Sequence, residues 1–375
     1  MAEVETVLIV GGGIAGLTLG RALHRQGFTV ELVELSRTWR AEGGGIAVQP
    51  NGMRMLHALG LDTAVEQAGA RLRRWQFCDQ AGKILSESDL AAFWGDVGPF
   101  IGIERTRLQQ VLVAGVEGVR CRLGTSIRSL TQHDDHVSVA FCDGSSGNYD
   151  LVVGADGISS TVRSLTLSAT PPAYTGAMAW RSIAPIRPRG LTNLQFHLGK
   201  GCFFGLCPVG DGRTYGFGNI TEPRTYEPLA GRLDRLRHRF AGFAGIVQDY
   251  LAALSRDEEI HCGPVDWVAV EQWHRGRVVL IGYAAHASSP MMGQGGCMAM
   301  EDSCVLAESL RRDTTVAEAL ESYVARRRPR VSWVHKESDA VAQSFRLPPD
   351  MRNTALQQHG DQLFQRRFAP LVAAP

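Results

Sequence analysis

TVLIVGGGIAGLTLGRALHRQGFTVELVE, residues 6–34, sets the layout of the whole chain. Thr6 to Val10 is a short apolar, β-branched run, glycines follow at once, and Leu17 to Gln26 has helical spacing. Phe28 to Glu34 reads as a second strand. Strand, turn, helix and strand within roughly 30 residues form a βαβ unit, with parallel strands and a right-handed crossover. Gly11, Gly13 and Gly16 give GxGxxG between the first strand and the helix. In that pattern the first glycine permits the tight turn, the second lets a pyrophosphate approach the backbone, and the third lets helix and strand pack closely. The helix start adds oriented N–H donors. Glu34 ends the second strand, 23 residues after Gly11, where an acidic side chain takes a ribose hydroxyl pair. The motif fits a dinucleotide without separating NAD from FAD.

Two further blocks separate them. YDLVVGADGISSTVR, residues 149–163, places Asp156-Gly157 directly after an apolar strand and runs on as DGxxSxVR into a helix start. A carboxylate there can meet a second nucleotide or a flavin-side group, with Arg163 bracing the loop, and a simple NAD dehydrogenase has no need of it. GRVVLIGYAAHASSPMMGQGGCMAMED, residues 276–302, is a buried strand followed by a loop whose Gly293, Gly295 and Gly296 open the next helix. Backbone N–H groups at such a helix start suit the electron-rich pyrimidine edge of a flavin.

Elsewhere, residues 51–69 read as two short helices broken at Gly60, Leu72 to Cys78 as a strand closed by the turn 79–82, and Arg105 to Val113 as a helix. Val137–Phe141 and Tyr149–Val153 flank another turn. Residues 174–220 are strand-rich and glycine-punctuated, which predicts an antiparallel sheet lying over the cofactor, with the turn at Gly210-Asp211-Gly212. Residues 229–255 and 316–345 are helical in pattern, and the last 25 residues read as a helix and a loose tail. The fold class is therefore α/β: a Rossmann-like FAD-binding domain, discontinuous over residues 1–70, 101–170 and 268–345, with an interleaved antiparallel substrate sheet over 71–100 and 171–267, and a C-terminal piece at 346–375.

The balance of 39 basic against 38 acidic residues gives a net charge of +1 and argues against a polyanion partner such as nucleic acid. The densest basic run, Arg326-Arg327-Arg328-Pro329-Arg330, reads as a solvated face or helix end. Eight scattered cysteines without CxxC or zinc spacing read as reduced thiols and no metal site. No leader pattern precedes the first strand and no stretch reaches the ~20 apolar residues of a membrane span, so the expectation is a cytoplasmic monomer or homodimer.

With its three blocks in this order, over roughly residues 5–345, the chain resembles the class A flavoprotein monooxygenases, the single-component urate, salicylate and 3-hydroxybenzoate hydroxylases above all. A weaker mark is ERTRLQQVL at 104–112, where Arg105 matches an arginine the family sets against FAD. The resemblance implies FAD as cofactor, NAD(P)H as a transient reductant without a Rossmann domain of its own, and O2 and a small aromatic compound as partners. It also implies oxygen transfer through a flavin C4a-hydroperoxide, giving hydroxylation, epoxidation or ring opening. By resemblance, Ala15, Glu34, Leu35, Ala47, Arg105, Ile127, Asp156, Gly157, Tyr283, Pro290 and the loop Gly293, Gln294, Gly295, Gly296 and Cys297 join Gly11, Gly13 and Gly16 around FAD. One departure stands out. The family's third motif reads Gly-Asp-Ala-Ala-His, and here Tyr283 holds the place of the ribityl-binding aspartate. Losing one such contact costs about 1–3 kcal/mol.

The same resemblance puts Trp180, Phe203, Cys207, Tyr215, Phe217 and Met291 around the substrate. Urate-type relatives place polar or charged residues at the positions of Phe203 and Met291, so a less polar aromatic than urate is expected. His197, Tyr215 and Arg181 are the candidates for catalysis, none singled out as the base. Two other functions stay open at this stage. Flavin halogenases need WxWxIP, to which the nearest string is Trp180-Arg181-Ser182-Ile183-Ala184-Pro185. A hydroxylase-derived binding or scaffold protein with altered or lost FAD binding would rest on Tyr283 alone.

Overall fold

The computed structural model describes residues 4–39, 44–167 and 171–375, so the expected domain limits at residues 1 and 170 lie outside the described residues. The opening βαβ unit forms as read: Thr6–Val10, helix Ile14–Arg25 and Thr29–Glu34, with the two strands parallel and Val7 level with Val30. All of Val7, Leu8 and Ile9 are fully buried, as expected for a strand covered on both faces. They stand in the middle of a six-stranded sheet. Its order is His274–Arg275, Val278–Leu280, Leu151–Gly154, Thr6–Val10, Thr29–Glu34, Arg120–Leu123, parallel except at the first pair.

The expected strand Tyr149–Val153 is split in two. Ser146–Tyr149 pairs with Val137–Phe141 in a separate antiparallel hairpin, whereas Leu151–Gly154 joins the parallel sheet. The break falls at Asp150, whose carboxylate accepts from the Glu5 and Thr6 backbone nitrogens at 2.8 and 2.7 Å and so ties the hairpin to the start of the chain.

The second large sheet has seven strands in the order His261–Trp267, Ala173–Ala184, Thr214–Thr221, Cys202–Pro208, Leu194–Leu198, Arg74–Asp79, Ile84–Asp89. It is antiparallel apart from the parallel junction of Leu194–Leu198 with Arg74–Asp79. The strand TYGFGNIT makes its two faces legible. Tyr215, Phe217 and Asn219 point one way. On the other face Gly216 and Gly218 have no side chains, and the Tyr250 and Phe240 rings lie directly on the backbone where a β-carbon would collide with them. Helices Arg232–Arg239 and Ile246–Ala253 supply those rings and make the core of that far face.

The C-terminal segment corrects the expectation of a loose tail. Pro349–Val372 is one helix with Phe364, Phe368 and Leu371 buried, and its two phenylalanines pack on Trp75 at ring separations of 5.7 and 5.6 Å. The reading of 326–330 as a solvated face holds for Arg328 and Pro329, which are exposed, but is corrected for Arg327 and Arg330. Arg327 is fully buried and Arg330 nearly so, because the helix Val316–Phe345 turns both toward an equally buried carboxylate pair, Glu301 and Asp302, on helix Gly295–Arg312. Arg327 Nε donates to Asp302 at 2.8 Å and its Nη1 to Glu301 at 2.6 Å. Asp302 also accepts from the Gly282 backbone nitrogen at 2.9 Å and meets His286 at 2.6 Å. Burial pushes the Asp302 carboxyl up, but His286 and Arg327 outweigh it and hold the group at about 2.

Removing one partner of such a buried cluster leaves an uncompensated charge. Arg327→Leu should therefore cost about 3–5 kcal/mol in urea unfolding, and an unchanged midpoint would refute the role given to Arg327. The pH dependence has a fixed sign. A carboxyl held at about 2 against an ordinary 3.8 stabilises the fold above pH ~4 and loses that contribution as pH falls toward 2. The Asp302→Asn variant should lack this part of the acid slope in a pH series of melting temperatures.

Candidate active site

Each glycine of GxGxxG has a separate geometric task. Gly11 has φ +109° and abuts the Ala155 carbonyl, 2.5 Å from where a β-carbon would stand, so the turn closes only without a side chain. A β-carbon on Gly16 would overlap the Gly11 carbonyl oxygen. Gly13 is different: it precedes the helix, no side chain caps it, and nothing lies within 4 Å of its β-position. The helix N-terminus therefore opens onto free space. Ala15 is buried in the same first turn, its carbonyl accepting from Ser303 at 2.9 Å.

Glu34 sits at the end of its strand with one oxygen accepting from the Gly12 nitrogen at 2.7 Å and the other from the Ser36 nitrogen at 2.8 Å. Leu35 beside it is 71% exposed. Ile127 is a buried core residue, its carbonyl facing Cys142. Asp156 departs from expectation. Its carboxylate is not free: it accepts from the hydroxyl of Ser160, the N-cap of helix Thr161–Thr166, at 2.5 Å and from the first backbone nitrogens of that helix, Thr161 and Val162. Gly157, at φ +81°, continues that turn. Arg163 braces the loop as read, donating to the carbonyls of Ala284 and Ile158 at 2.8 and 2.7 Å.

Some distance along the same helical layer, a cavity of about 280 Å³ opens between the loop 290–296 and the seven-stranded sheet. Pro290, Met291, Gly293, Gly295, Gly296 and Tyr283 form one side. Arg181, Phe203, Cys207, Tyr215 and Phe217 form the sheet side, and Ala47 and Arg105 stand at its flank. Residues spread over most of the chain thus meet in one hollow. Gln294 and Cys297 lie just beneath it. The Gln294 amide donates to Gln49 at 2.7 Å, and the Cys297 sulfur accepts from the Gln49 nitrogen at 3.4 Å. Tyr283 lies over the start of helix Gly295–Arg312, its hydroxyl against Gly295.

Two expected residues are elsewhere. Trp180 belongs to the far face, where its ring packs on Phe240 and its indole donates to Glu227 at 2.6 Å. The reason is strand alternation: Arg181 faces the cavity, so its neighbour cannot. His197 is on that face too, 1% exposed and bonded to Gln195 at 3.1 Å. Burial pulls it down to about 4, so it is a neutral structural residue and is withdrawn as a candidate base.

Sequence reasoning missed Trp75, Leu194, Phe196, Gln49 and Asn219, all of which line the cavity. Trp75 stacks on Phe196 at 4.9 Å. The alternation in Trp75-Gln76-Phe77 and Leu194-Gln195-Phe196 was visible, but which face met the cavity depended on a parallel strand pairing that no local pattern announces.

The electrostatics at the sheet side are one-sided. Burial pushes the Tyr215 phenol up, against the opposing pull of the Arg181 and Arg105 guanidinium groups. Tyr215 is therefore a neutral donor at physiological pH. The Cys207 thiol is pushed up to about 12 by burial and is not a nucleophile.

A family model described as an FAD binding domain matches residues 4–338. The chain is 36% identical over 346 residues to the aurachin C monooxygenase/isomerase of Stigmatella aurantiaca, covering 91% of this chain and 88% of that protein. It is 33% identical over 337 residues to an FAD-dependent urate hydroxylase of Klebsiella pneumoniae, with 86% of each covered. The crystal structure of Klebsiella pneumoniae HpxO with FAD and uric acid superposes with a TM-score of 0.90 at 28% identity, covering 99% of this chain and 97% of that one. Among the described residues no helix is long and apolar enough to cross a membrane. A helix N-terminus left open at Gly13, a glycine loop facing an aromatic-lined hollow, and these matches along nearly the whole chain make the protein a member of the FAD-dependent aromatic monooxygenase family.

Proposed function

We propose that the chain takes electrons from NADH or NADPH and uses O2 to oxygenate a small, flat, largely apolar aromatic or heteroaromatic compound. One oxygen atom enters the substrate and the other leaves as water, with the nicotinamide supplying the electron pair. The observation that carries this reading is the hollow itself: an FAD-type glycine loop on one side and Phe203, Phe217, Trp75 and Phe196 on the others.

The residues fit FAD. The free space at Gly13 accommodates a pyrophosphate on the helix N-terminus. Glu34 keeps lone pairs for a ribose beyond its two backbone bonds. The side-chain-free start of helix Gly295–Arg312 offers N–H groups to a pyrimidine edge, with Arg105 on the flank. Bound there, FAD supplies electron transfer and oxygen activation. Tyr283 fits less simply, since its ring covers Gly295 where the family has a short carboxylate.

The chain's own residues then position the substrate and keep the site dry. Phe203 and Met291 clamp an aromatic ring, and the apolar contact they offer disfavours a purine as polar as urate. Arg181 offers a cation toward a substrate oxygen that carries negative charge, and Tyr215, a neutral phenol, can donate a hydrogen bond to it.

Three outcomes test this. Gly13→Val points its side chain into open space with ordinary backbone angles, so it should abolish FAD retention while apo stability stays within about 0.5 kcal/mol. Equal flavin occupancy in variant and parent would defeat the cofactor assignment. Tyr283→Asp should slow release of flavin fluorescence on dilution by about tenfold, and faster release would mean that the site is built around the phenol. Phe203→Arg would bury an unpaired charge against any apolar ligand. It should raise KM for the substrate about tenfold or uncouple NAD(P)H oxidation from product, with FAD still bound. Phe204→Leu on the far face, where the ring packs 4.9 Å from Phe240, should lower stability by about 1–2 kcal/mol and leave coupling unchanged. Untouched KM and coupling in Phe203→Arg would move the pocket elsewhere.

A further inference from the structure

Away from the cavity, the three-stranded hairpin sheet carries a cluster of polar groups that the proposed reaction does not use. Its strands are Ile127–Gln132, Val137–Phe141 and Ser146–Tyr149. One face is buried through Val137, Val139 and Phe141. Strand alternation turns His136 and Ser138 to the other face, where Asn148 of the next strand is level with Ser138. His133 and His136 close the turn His133-Asp134-Asp135-His136. The His133 nitrogen donates to the His136 carbonyl at 2.8 Å, and Asp134 and Asp135 stand exposed at the tip. The two imidazoles lie face to face, with ring centres 4.4 Å apart and planes inclined by 18°.

Four polar atoms converge there. The Nε2 atoms of His133 and His136 lie 3.2 and 3.3 Å from the same atom, the Ser138 hydroxyl oxygen. That hydroxyl donates its single proton to the Asn148 carboxamide oxygen at 2.9 Å. On the outer side of the pair, His136 Nδ1 lies 2.7 Å from an oxygen of Asp135. A carboxylate only accepts, so Nδ1 carries the proton of the neutral ring and Nε2 keeps a lone pair. This lone pair is aimed at an oxygen whose proton is already given to Asn148. A carboxylate on the outer nitrogen is also the arrangement that orients a histidine toward a metal. Charge favours the same occupant. Both aspartates of the tip are close by, and the neighbouring Arg277 turns its guanidinium to the carbonyls of Asp134 and Asp150. Among the described residues no group of three His, Cys, Asp or Glu is poised for a metal, so the remaining donors here are hydroxyl, carboxamide and water oxygens. Two imidazole nitrogens with such oxygens suit zinc, nickel or copper and not magnesium.

We infer that His133 and His136 bind a divalent transition-metal ion through their Nε2 atoms, with the Ser138 and Asn148 oxygens beside it and Asp135 orienting His136. The tip lies at the start of the parallel strands: Arg277 precedes Val278–Leu280 and Asp150 precedes Leu151–Gly154. The GxGxxG turn follows the other end of that sheet, after Thr6–Val10. The ion is therefore remote from the cofactor turn, and its task is to pin the hairpin rather than to take part in oxygenation.

The test uses the FAD-loaded full chain without an affinity tag, titrated in a non-chelating buffer with Zn2+, Ni2+ and Mg2+ and followed by calorimetry. Zn2+ and Ni2+ should bind, and Mg2+ should give no heat at the same concentrations. His133→Gln and His136→Gln should each weaken both ions by about tenfold or more, and Asp135→Asn should weaken them by about tenfold. The double variant His133→Gln/His136→Gln reports what the eight cysteine thiols bind by themselves. His359→Gln, exposed on the C-terminal helix, should change nothing. Saturating Zn2+ should raise the melting temperature of the parent and not of the double variant. It should also slow hydrogen exchange at the His133 amide, a local readout independent of turnover. Equal affinity in parent and double variant would mean an adventitious ion only and would overturn the proposal. Mg2+ bound as tightly as Zn2+ would overturn it too, by assigning the ion to the carboxylates of Asp134 and Asp135.

Discussion

Two carboxylates and an arginine, all without solvent exposure, hold the catalytic half of this protein in register. Glu301 and Asp302 are consecutive on helix Gly295–Arg312, and Arg327 reaches both from helix Val316–Phe345. A buried ion cluster is weak evidence for stability, because desolvation offsets much of its attraction. Its value here is positional. Asp302 fixes the Gly282 turn and His286 that follow the strand Val278–Leu280. Glu301 holds Asn51 at 2.8 Å, Asn51 holds Gln294, and Gln294 meets Gln49, which bonds the Met292 carbonyl. An unbroken chain of satisfied polar groups therefore leads from the ion cluster to the loop 290–296. That loop has three glycines, and beside the core packing of Met291 and Met292 this polar chain holds its shape from below.

The opposite wall is built on another principle. The seven-stranded sheet owes its cavity face to period-two alternation, and its far face to glycines that let aromatic rings lie on bare backbone. The two faces are insulated from one another. The far face carries the packing that stabilises the sheet, through Phe204, Phe240 and Tyr250. On the cavity face Phe203 and Phe217 also pack with Phe196, and Phe203 with Phe345, so the wall that lines the hollow is itself part of the core. The C-terminal helix extends this division, backing Trp75 with Phe364 and Phe368 from outside the cavity.

Legibility in the sequence followed the range of the interaction. The βαβ unit, the glycine loops and most strands were readable because turn residues, periodicity and βαβ spacing are local. Phe203 against Phe204 was readable too, since adjacent strand residues must face apart. The same rule ought to have removed Trp180 once Arg181 was retained. What could not be read depended on distant partners. Arg327 looks like part of a solvated basic run until two carboxylates from another helix are placed beneath it. Asp156 looks like a free ligand until the next helix turn claims its oxygens. Tyr149 and Leu151 look like one strand until Asp150 is tied to Thr6.

The charge pattern of the hollow explains why no base stands out in it. His197, the residue with a suitable ordinary pKa, is turned to the far face and depressed by burial to about 4. Tyr215 is pushed the other way and stays protonated. What remains beside the ring site is positive: Arg181 on the sheet and Arg105 on the flank. A cation lowers the pKa of a nearby phenol by favouring its ionised form. On the proposed reading, a substrate hydroxyl brought against Arg181 would have its ionised form favoured there. Under that arrangement a fixed positive charge would do part of what a side-chain base does, and the apolar walls remain compatible with an anionic ring so long as its oxygen stays on the donor side.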